Sequence, residues 1–405
     1  MNKYLTFFLL SFYFLAVTIY AQEDSTKTSK KIFKKGLHVN FLHSDSTDED
    51  EYYECDYSSF DLALNNSGIS FGNSPKFSGL RLNAMDCGIE NINGINITFW
   101  KPDDNISGTI NGISLGLFPS ADNLNGINLG LGVIVAGDEA RGINFGGLAI
   151  VSQNKITGLN FGGLSLVSGG EINGLNFGGL AVVAEGGLKG INYGGLALVT
   201  GGDILGANFG GLALVSQGSM KGLNFSGMAN VSQGGMTGIN FSGLANVTQG
   251  NMLGINFSGL ANVSEGDMLG LNFAGLALVS KSDIKGINFG GLAIVAEEYG
   301  ITGLNISIGK IFSENDITGW NTAGYKIETK NLMGLNTAAC WIEAENLTGV
   351  GVSVFNEIYG RQTGLTIGII NYARELNGIQ LGLLNIAENN KSIFKYLPFI
   401  NMHYD

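Results

Sequence analysis

The stretch "GINFSGLANVSEGDML" (residues 254–269) decides the reading of this chain. Before it stands "GINFSGLANVTQGNML" and after it "GLNFAGLALVSKSDIK". Gly126, Gly142, Gly158, Gly174, Gly190, Gly206, Gly222, Gly238, Gly254, Gly270 and Gly286 are each sixteen residues apart. Call that glycine position 1. Position 3 is then Asn in all eleven units, Asn128 to Asn288. Position 4 is Phe, apart from Leu129 and Tyr193. Position 6 is Gly from Gly147 to Gly291, position 7 is Leu from Leu148 to Leu292 with Met228 once, and position 10 is always Val. A fixed period of this kind identifies a tandem array, in which each unit buries its apolar surface against its neighbours.

Looser units flank the regular block. They begin upstream at Gly79, Gly94 and Gly112, and downstream at Gly303, Gly319, Gly334, Gly349, Gly364 and Gly378, giving about 20 units. Terminal units lack one neighbour, so degeneracy at the ends is expected. The chain divides into 1–21, a secretory signal ("MNKYLTFFLLSFYFLAVTIYA"); 22–66, a polar and acidic segment; 67–125, degenerate repeats; 126–301, regular repeats; and 302–405, degenerate repeats with a C-terminal closing strand. Lys3 followed by the apolar run Leu5–Ile19 is the pattern of an exported protein.

Each unit reads as β structure. Ile255, Phe257, Gly259, Ala261 and Val263 fall on one parity; Gly254, Asn256, Ser258, Leu260 and Asn262 fall on the other. Period two is the strand signature. On this reading Ile255, Phe257 and Val263 face a dry environment. "EGD", "QGN" and "GGD" after each strand supply turns. Gly at position 6 marks a bulge or corner, where single-residue deletions such as that in "GIQLGLLNIA" (378–387) are absorbed. With 63 Gly among 405 residues, helices are disfavoured.

Charge is distributed as regularly as glycine. Positions 1–11 of the eleven regular units hold no Asp, Glu, Lys or Arg. At the chain's 14% charged content about 17 are expected there. Strands shielded on both faces follow. Short turns, the uncharged span and the ending "KYLPFINMHYD" favour an all-β closed antiparallel barrel or hairpin array. Strict sixteen-residue equivalence favours the alternative, a parallel β-solenoid with Asn ladders. The uniformly short turns count against an outer-membrane pore.

The pattern G-[IL]-[NQ]-x-G-L, clearest in "GIQLGLLNIA" and the "PFIN" ending, resembles bacterial surface-repeat proteins built from G-L-Q-L-G-L-V-N units. The resemblance covers roughly residues 79–405 and implies an exported envelope or surface protein. The regular block departs from it, with Phe at position 4 and an extra Gly at position 6.

Site residues on this reading are structural repeat positions: Asn240, Phe241, Gly243, Val247, Asn256, Phe257, Gly259 and Val263. Cys55 and Cys87 form a possible disulfide pair in an oxidising compartment. No catalytic, cofactor-binding or metal-binding residue is assigned. The three His (His38, His43, His403) lie outside the regular repeats, so no Ser–His–Asp device has its base there. The acidic run containing Asp45, Asp48, Asp50 and Glu51 lacks the spacing of a calcium loop and reads as a solvated segment. A net charge of −12 argues against nucleic acid. The chain is thus expected to be a non-enzymatic exported envelope or surface protein, at the outer membrane or cell surface, with a structural or lipid-contacting role. The alternative is a secreted binding or adhesion module that presents Asn and Ser ladders to glycans or a surface protein.

Overall fold

The computed structural model describes Cys55, residues 57–100 and residues 106–404. The signal-like residues 1–21 and the acidic run at 45–51 lie outside the described residues. The fold is an all-β solenoid of about 19 tandem repeats of about 16 residues. Each regular unit contributes a long strand and a short one, for example Lys155–Gly162 followed by Ser165–Ser168.

Successive coils pair in parallel and in register. Glu171–Gly178 pairs with Lys155–Gly162 on one side and Gly187–Gly194 on the other, so that Gly158, Gly174 and Gly190 line up, as do Phe161, Phe177 and Tyr193. The short strands do the same, Ser165 against Ala149 and Ala181. The antiparallel barrel is therefore corrected: neighbouring units run the same way. The physical reason is the sixteen-residue identity itself. Only parallel stacking places every unit in the same environment, whereas an antiparallel array alternates two environments and doubles the period.

Two glycines shape the coil. Position 1 lies inside the long strand at φ between +109° and +121° throughout the regular block. A Cβ on Gly254 would stand 2.2 Å from the carbonyl oxygen of Gly238. Side chains rarely adopt that φ, and here the space is also taken by the coil beneath. Position 6 begins the corner between the two strands, and a Cβ on Gly163 would meet the Gly147 carbonyl oxygen at 1.9 Å. That corner absorbs deletions. Gly349 aligns with Gly334, yet Phe355 already aligns with Trp341, so one residue is lost between the strands without disturbing either register.

The interior is built by five inward columns, and this inverts the facing assigned from alternation. Position 15 carries Ile156, Ile172, Leu188, Ile204, Met220 and their equivalents, all fully buried. Position 9 carries Ile150, Leu166, Val182, Leu198 and Leu214, then Asn230, Asn246 and Asn262. Asn at position 3 is also buried, and small residues fill positions 5 and 11. Ile255 and Phe257, expected to face a dry interior, are exposed at 44% and 36%; Val247 and Val263 are half-buried.

Inward Asn is tolerated because stacking completes its hydrogen bonds. Each position-3 amide donates Nδ2–H to the Oδ1 of the next coil's Asn, continuously from Asn128 to Asn336, at 2.7–2.9 Å. An unpaired buried amide is costly, whereas a fully connected ladder is not. A second ladder joins Asn230, Asn246 and Asn262 at 2.8 and 2.9 Å. Positions 5 and 9 vary together. Gly at 5 accompanies a branched residue at 9 (Gly162 and Leu166) and Ser accompanies Asn in three consecutive units (Ser226 and Asn230, Ser242 and Asn246, Ser258 and Asn262), while Ala274 stands with Leu278 and Ser307 with Ile311. A Cβ on Gly162 would meet the Ser165 carbonyl oxygen at 2.1 Å and Leu166 at 3.0 Å, so where position 5 gains a side chain the corner and position 9 must adjust.

Both ends carry antiparallel strands. At the start, Ser59–Leu64 pairs with Ser67–Gly72 across Asn65 and Asn66, both at positive φ, a turn type that Asn tolerates. At the finish, Tyr396–His403 pairs antiparallel with the strand Ile370–Ala387. Near the start, position 3 holds Arg81, which is fully buried. It donates to Asp86 at 2.5 Å, Asn96 at 2.7 Å and Asn73 at 2.8 Å. A disulfide joins Cys55 to Cys87, the residue after Asp86, with Cα atoms 5.5 Å apart.

Candidate functional site: an uncharged outer stripe

With Asn turned inward, the apolar residues of positions 2, 4 and 7 form the outside. Position 2 is apolar in every unit from Leu80 to Ile379. Position 4 is apolar from Leu82 to Leu381 except for Thr322 and Thr337. Positions 2 and 4 alternate outward from one strand, and position 7 follows at the corner. Ile143, Phe145 and Leu148 are 46%, 42% and 49% exposed, and the next units repeat the pattern. In the downstream coils Trp320 and Tyr325 take positions 2 and 7, at 60% and 54%.

The aromatic column is ordered. Phe145, Phe161, Phe177 and Tyr193 stack in sequence with ring centroids 4.8–4.9 Å apart and planes within 3°. Phe241, Phe257, Phe273 and Phe289 repeat this at 4.7–4.9 Å. Between them the stack loosens to 5.6 Å at Phe209–Phe225 and 5.9 Å at Phe225–Phe241. The spacing equals the strand separation, so stacking follows directly from the register. Inside the two tightly stacked runs, ring faces are covered by their neighbours.

Half-exposed side chains at three positions per coil expose on the order of 2,000 Å² of apolar surface across the regular block, against roughly 300–600 Å² for the largest patch on an ordinary soluble monomer. The strand backbone beneath the stripe is already consumed by the parallel ladders on both sides. The stripe therefore presents few hydrogen-bonding groups.

Charge begins where the stripe ends. Position 16 precedes the position-1 glycine on the long strand, and position 14 stands at or just before the start of that strand. In 126–301 the charged residues at position 16 are Arg141, Lys189, Lys221 and Lys285. Those at position 14 are Glu139, Glu171, Asp203, Asp267 and Asp283, with Lys155 as the exception. Arg141 pairs with Glu139 at 2.6 Å, Lys189 with Glu171 at 2.6 Å and Lys285 with Asp283 at 2.7 Å. The hydrogen bond from Lys189, then that from Asn173, holds the Glu171 carboxyl below its usual range. The hydrogen bond to Asp283 raises the Lys285 ammonium. All of these groups are solvent-screened, so the pairs order side chains more than they stabilise the fold.

The structural positions assigned from sequence separate into two sets. Asn240 and Asn256 join the interior ladder, while Phe241 and Phe257 join the outer stack. Gly243 and Gly259 lie at corners, and Val247 and Val263 point outward from the short strand. What alternation missed was position 15. It is apolar throughout the regular block but lies among turn and charged residues, and with position 9 it supplies most of the large buried side chains. Among the described residues no group of three or more His, Cys, Asp or Glu is arranged to hold a metal ion. Among the described residues no helix is long and apolar enough to cross a membrane.

Comparison with protein families, curated proteins and solved structures gives no match.

Proposed function

We propose that this protein is a non-enzymatic exported component of a bacterial envelope or surface, and that it lies against lipid through its outer stripe. The observation that carries the reading is the exposure of positions 2, 4 and 7 along a face without charge. Apolar surface of this extent in water favours any arrangement that removes it. The interior is filled by side chains, so the lipid contact is lateral: the solenoid lies on a leaflet like an amphipathic helix, without enclosing a pore. Export rests on the pattern of residues 1–21 and the envelope assignment on the repeat resemblance.

The glycan alternative loses its motivation. The Asn ladder that was to meet sugars is buried and hydrogen-bonded to itself. Sugars stack on aromatic faces, and inside the two tightly stacked runs these faces are covered by neighbouring rings.

Flotation of the mature chain with phosphatidylcholine vesicles tests the reading. The chain is expected to rise with the vesicles, and the Phe241→Asp/Phe257→Asp variant to remain at the bottom while keeping its β-sheet circular dichroism spectrum and a cooperative melt. A wild-type chain that stays at the bottom, as a monomer or as a dimer closed over its stripe, overturns it.

A further inference from the structure

We infer that position 16 forms a cationic rail that meets the phosphate layer of a phospholipid leaflet, fixing both the depth and the roll of the solenoid. The inference rests on the lipid reading of the stripe and adds the headgroup chemistry.

The geometry is a graded one. Outward positions leading into and along the long strand run 14, 16, 2, 4, as in Glu171, Asn173, Leu175 and Phe177. A strand advances about 3.3 Å per residue, so successive outward positions are roughly 7 Å apart. Running back along the long strand from the apolar columns, the first charge encountered is a cation and the second an anion; on the other flank, position 12 carries Glu185, Glu265, Lys281 and Glu297. Across a leaflet boundary, hydrocarbon gives way to phosphate over a comparable distance. A residue at position 16 on a solenoid whose position 2 lies in hydrocarbon therefore stands at phosphate level.

The residue choices agree with that placement. No position 16 of the regular block carries an acid; where it is not Arg or Lys it is Thr157, Asn173, Leu205, Thr237, Leu253, Leu269 or Thr302. Acids are abundant one step further back, where they are removed from phosphate repulsion. Arg141, Lys189 and Lys285 are bridged to those acids but keep side-chain exposures of 62%, 47% and 49%. A guanidinium has five N–H donors and an ammonium three, so each cation retains donors for a phosphate oxygen. Beside Lys221, position 14 is Ser219. Long cationic side chains at an interface extend their heads to the polar layer while their stems cover apolar surface.

The test compares two vesicle types with similar acyl chains, phosphatidylcholine and the phosphate-free digalactosyldiacylglycerol. The mature wild-type chain is expected to partition at least tenfold more strongly onto phosphatidylcholine. The Arg141→Gln/Lys189→Gln/Lys221→Gln/Lys285→Gln variant, checked for an unchanged β-sheet circular dichroism spectrum and melting temperature, is expected to bind both vesicles equally. Restoring Lys at the four positions with Arg at 141 replaced by Lys is expected to recover most of the preference. A Gln variant that keeps the wild-type preference, or a wild type that binds both vesicles alike, overturns the rail while leaving the stripe's lipid contact standing. A wild type that binds neither vesicle removes the lipid reading and the rail with it.

Discussion

Asn240 donates its side-chain N–H to the Oδ1 of Asn256 at 2.8 Å inside the solenoid, while the adjacent residues Phe241 and Phe257 stack outside it at 4.9 Å. One strand thus turns its amides to the dry side and its aromatic rings to the solvent side. Identical neighbours in register make both arrangements favourable.

Breaking one rung of the amide ladder is expected to be costly. Asn256→Ala leaves the Nδ2 of Asn240 and the Oδ1 of Asn272 without their bonds. The expected loss is about 1–3 kcal/mol, the cost of orphaning buried polar groups. Urea denaturation measures it, and a loss below about 0.5 kcal/mol would show that water reaches the ladder.

Positions 9 and 10 are expected to respond oppositely. Leu214 is fully buried, so Leu214→Ala should cost about 2–5 kcal/mol. Val247 is half-buried on the outward side, so Val247→Asp should cost less than about 1 kcal/mol. Thermal melts of the two variants settle the order. A larger loss for Val247→Asp restores the original facing of the strand.

The Ser–Asn and Gly–Leu alternatives at positions 5 and 9 are expected to couple. Ser242→Gly leaves a void and Asn246→Leu breaks the ladder from Asn230 to Asn262, while together they place Gly and Leu as at Gly210 and Leu214. The double variant should be more stable than the sum of the singles by about 0.5–3 kcal/mol. Additive losses would mean that the two side chains do not share space.

Tyr359 provides a pH signature. Burial, then the hydrogen bond with Glu357 and nearby carboxylates, pushes its phenol up to about 12. A raised folded value means that the neutral form is favoured in the fold. Its contribution is full below the unfolded value near 10 and is lost as pH rises through about 12. Alkaline titration of tyrosinate absorbance should lose its highest inflection in Tyr359→Phe. Normal titration of every tyrosine contradicts the assignment.

Much of this architecture is legible in the sequence. The β repeats, two strands per unit, the corner that absorbs deletions and the absence of charge from positions 1–11 all follow from period and glycine placement. Facing is not legible, because alternation identifies two sides without naming which is inside. Ile255 and Phe257 outrank Asn256 and Ser258 in hydrophobicity, so they read as core. What reverses the ranking is a cooperative property: Asn256 is satisfied only when Asn240 and Asn272 stand directly below and above it. Met252 and Met268 at position 15 were the corrective clue, since apolar residues in every regular unit of a supposed polar turn require burial.

The central claim, that the outer stripe rests in lipid, is tested most directly at Trp320. It occupies position 2 at 60% exposure and becomes the sole tryptophan in a Trp100→Phe/Trp341→Phe background. Its fluorescence should be measured with phosphatidylcholine vesicles whose acyl chains carry bromine. The account predicts a blue shift on vesicle addition and strong quenching by bromine within the hydrocarbon. An unshifted, unquenched spectrum at saturating lipid would contradict it.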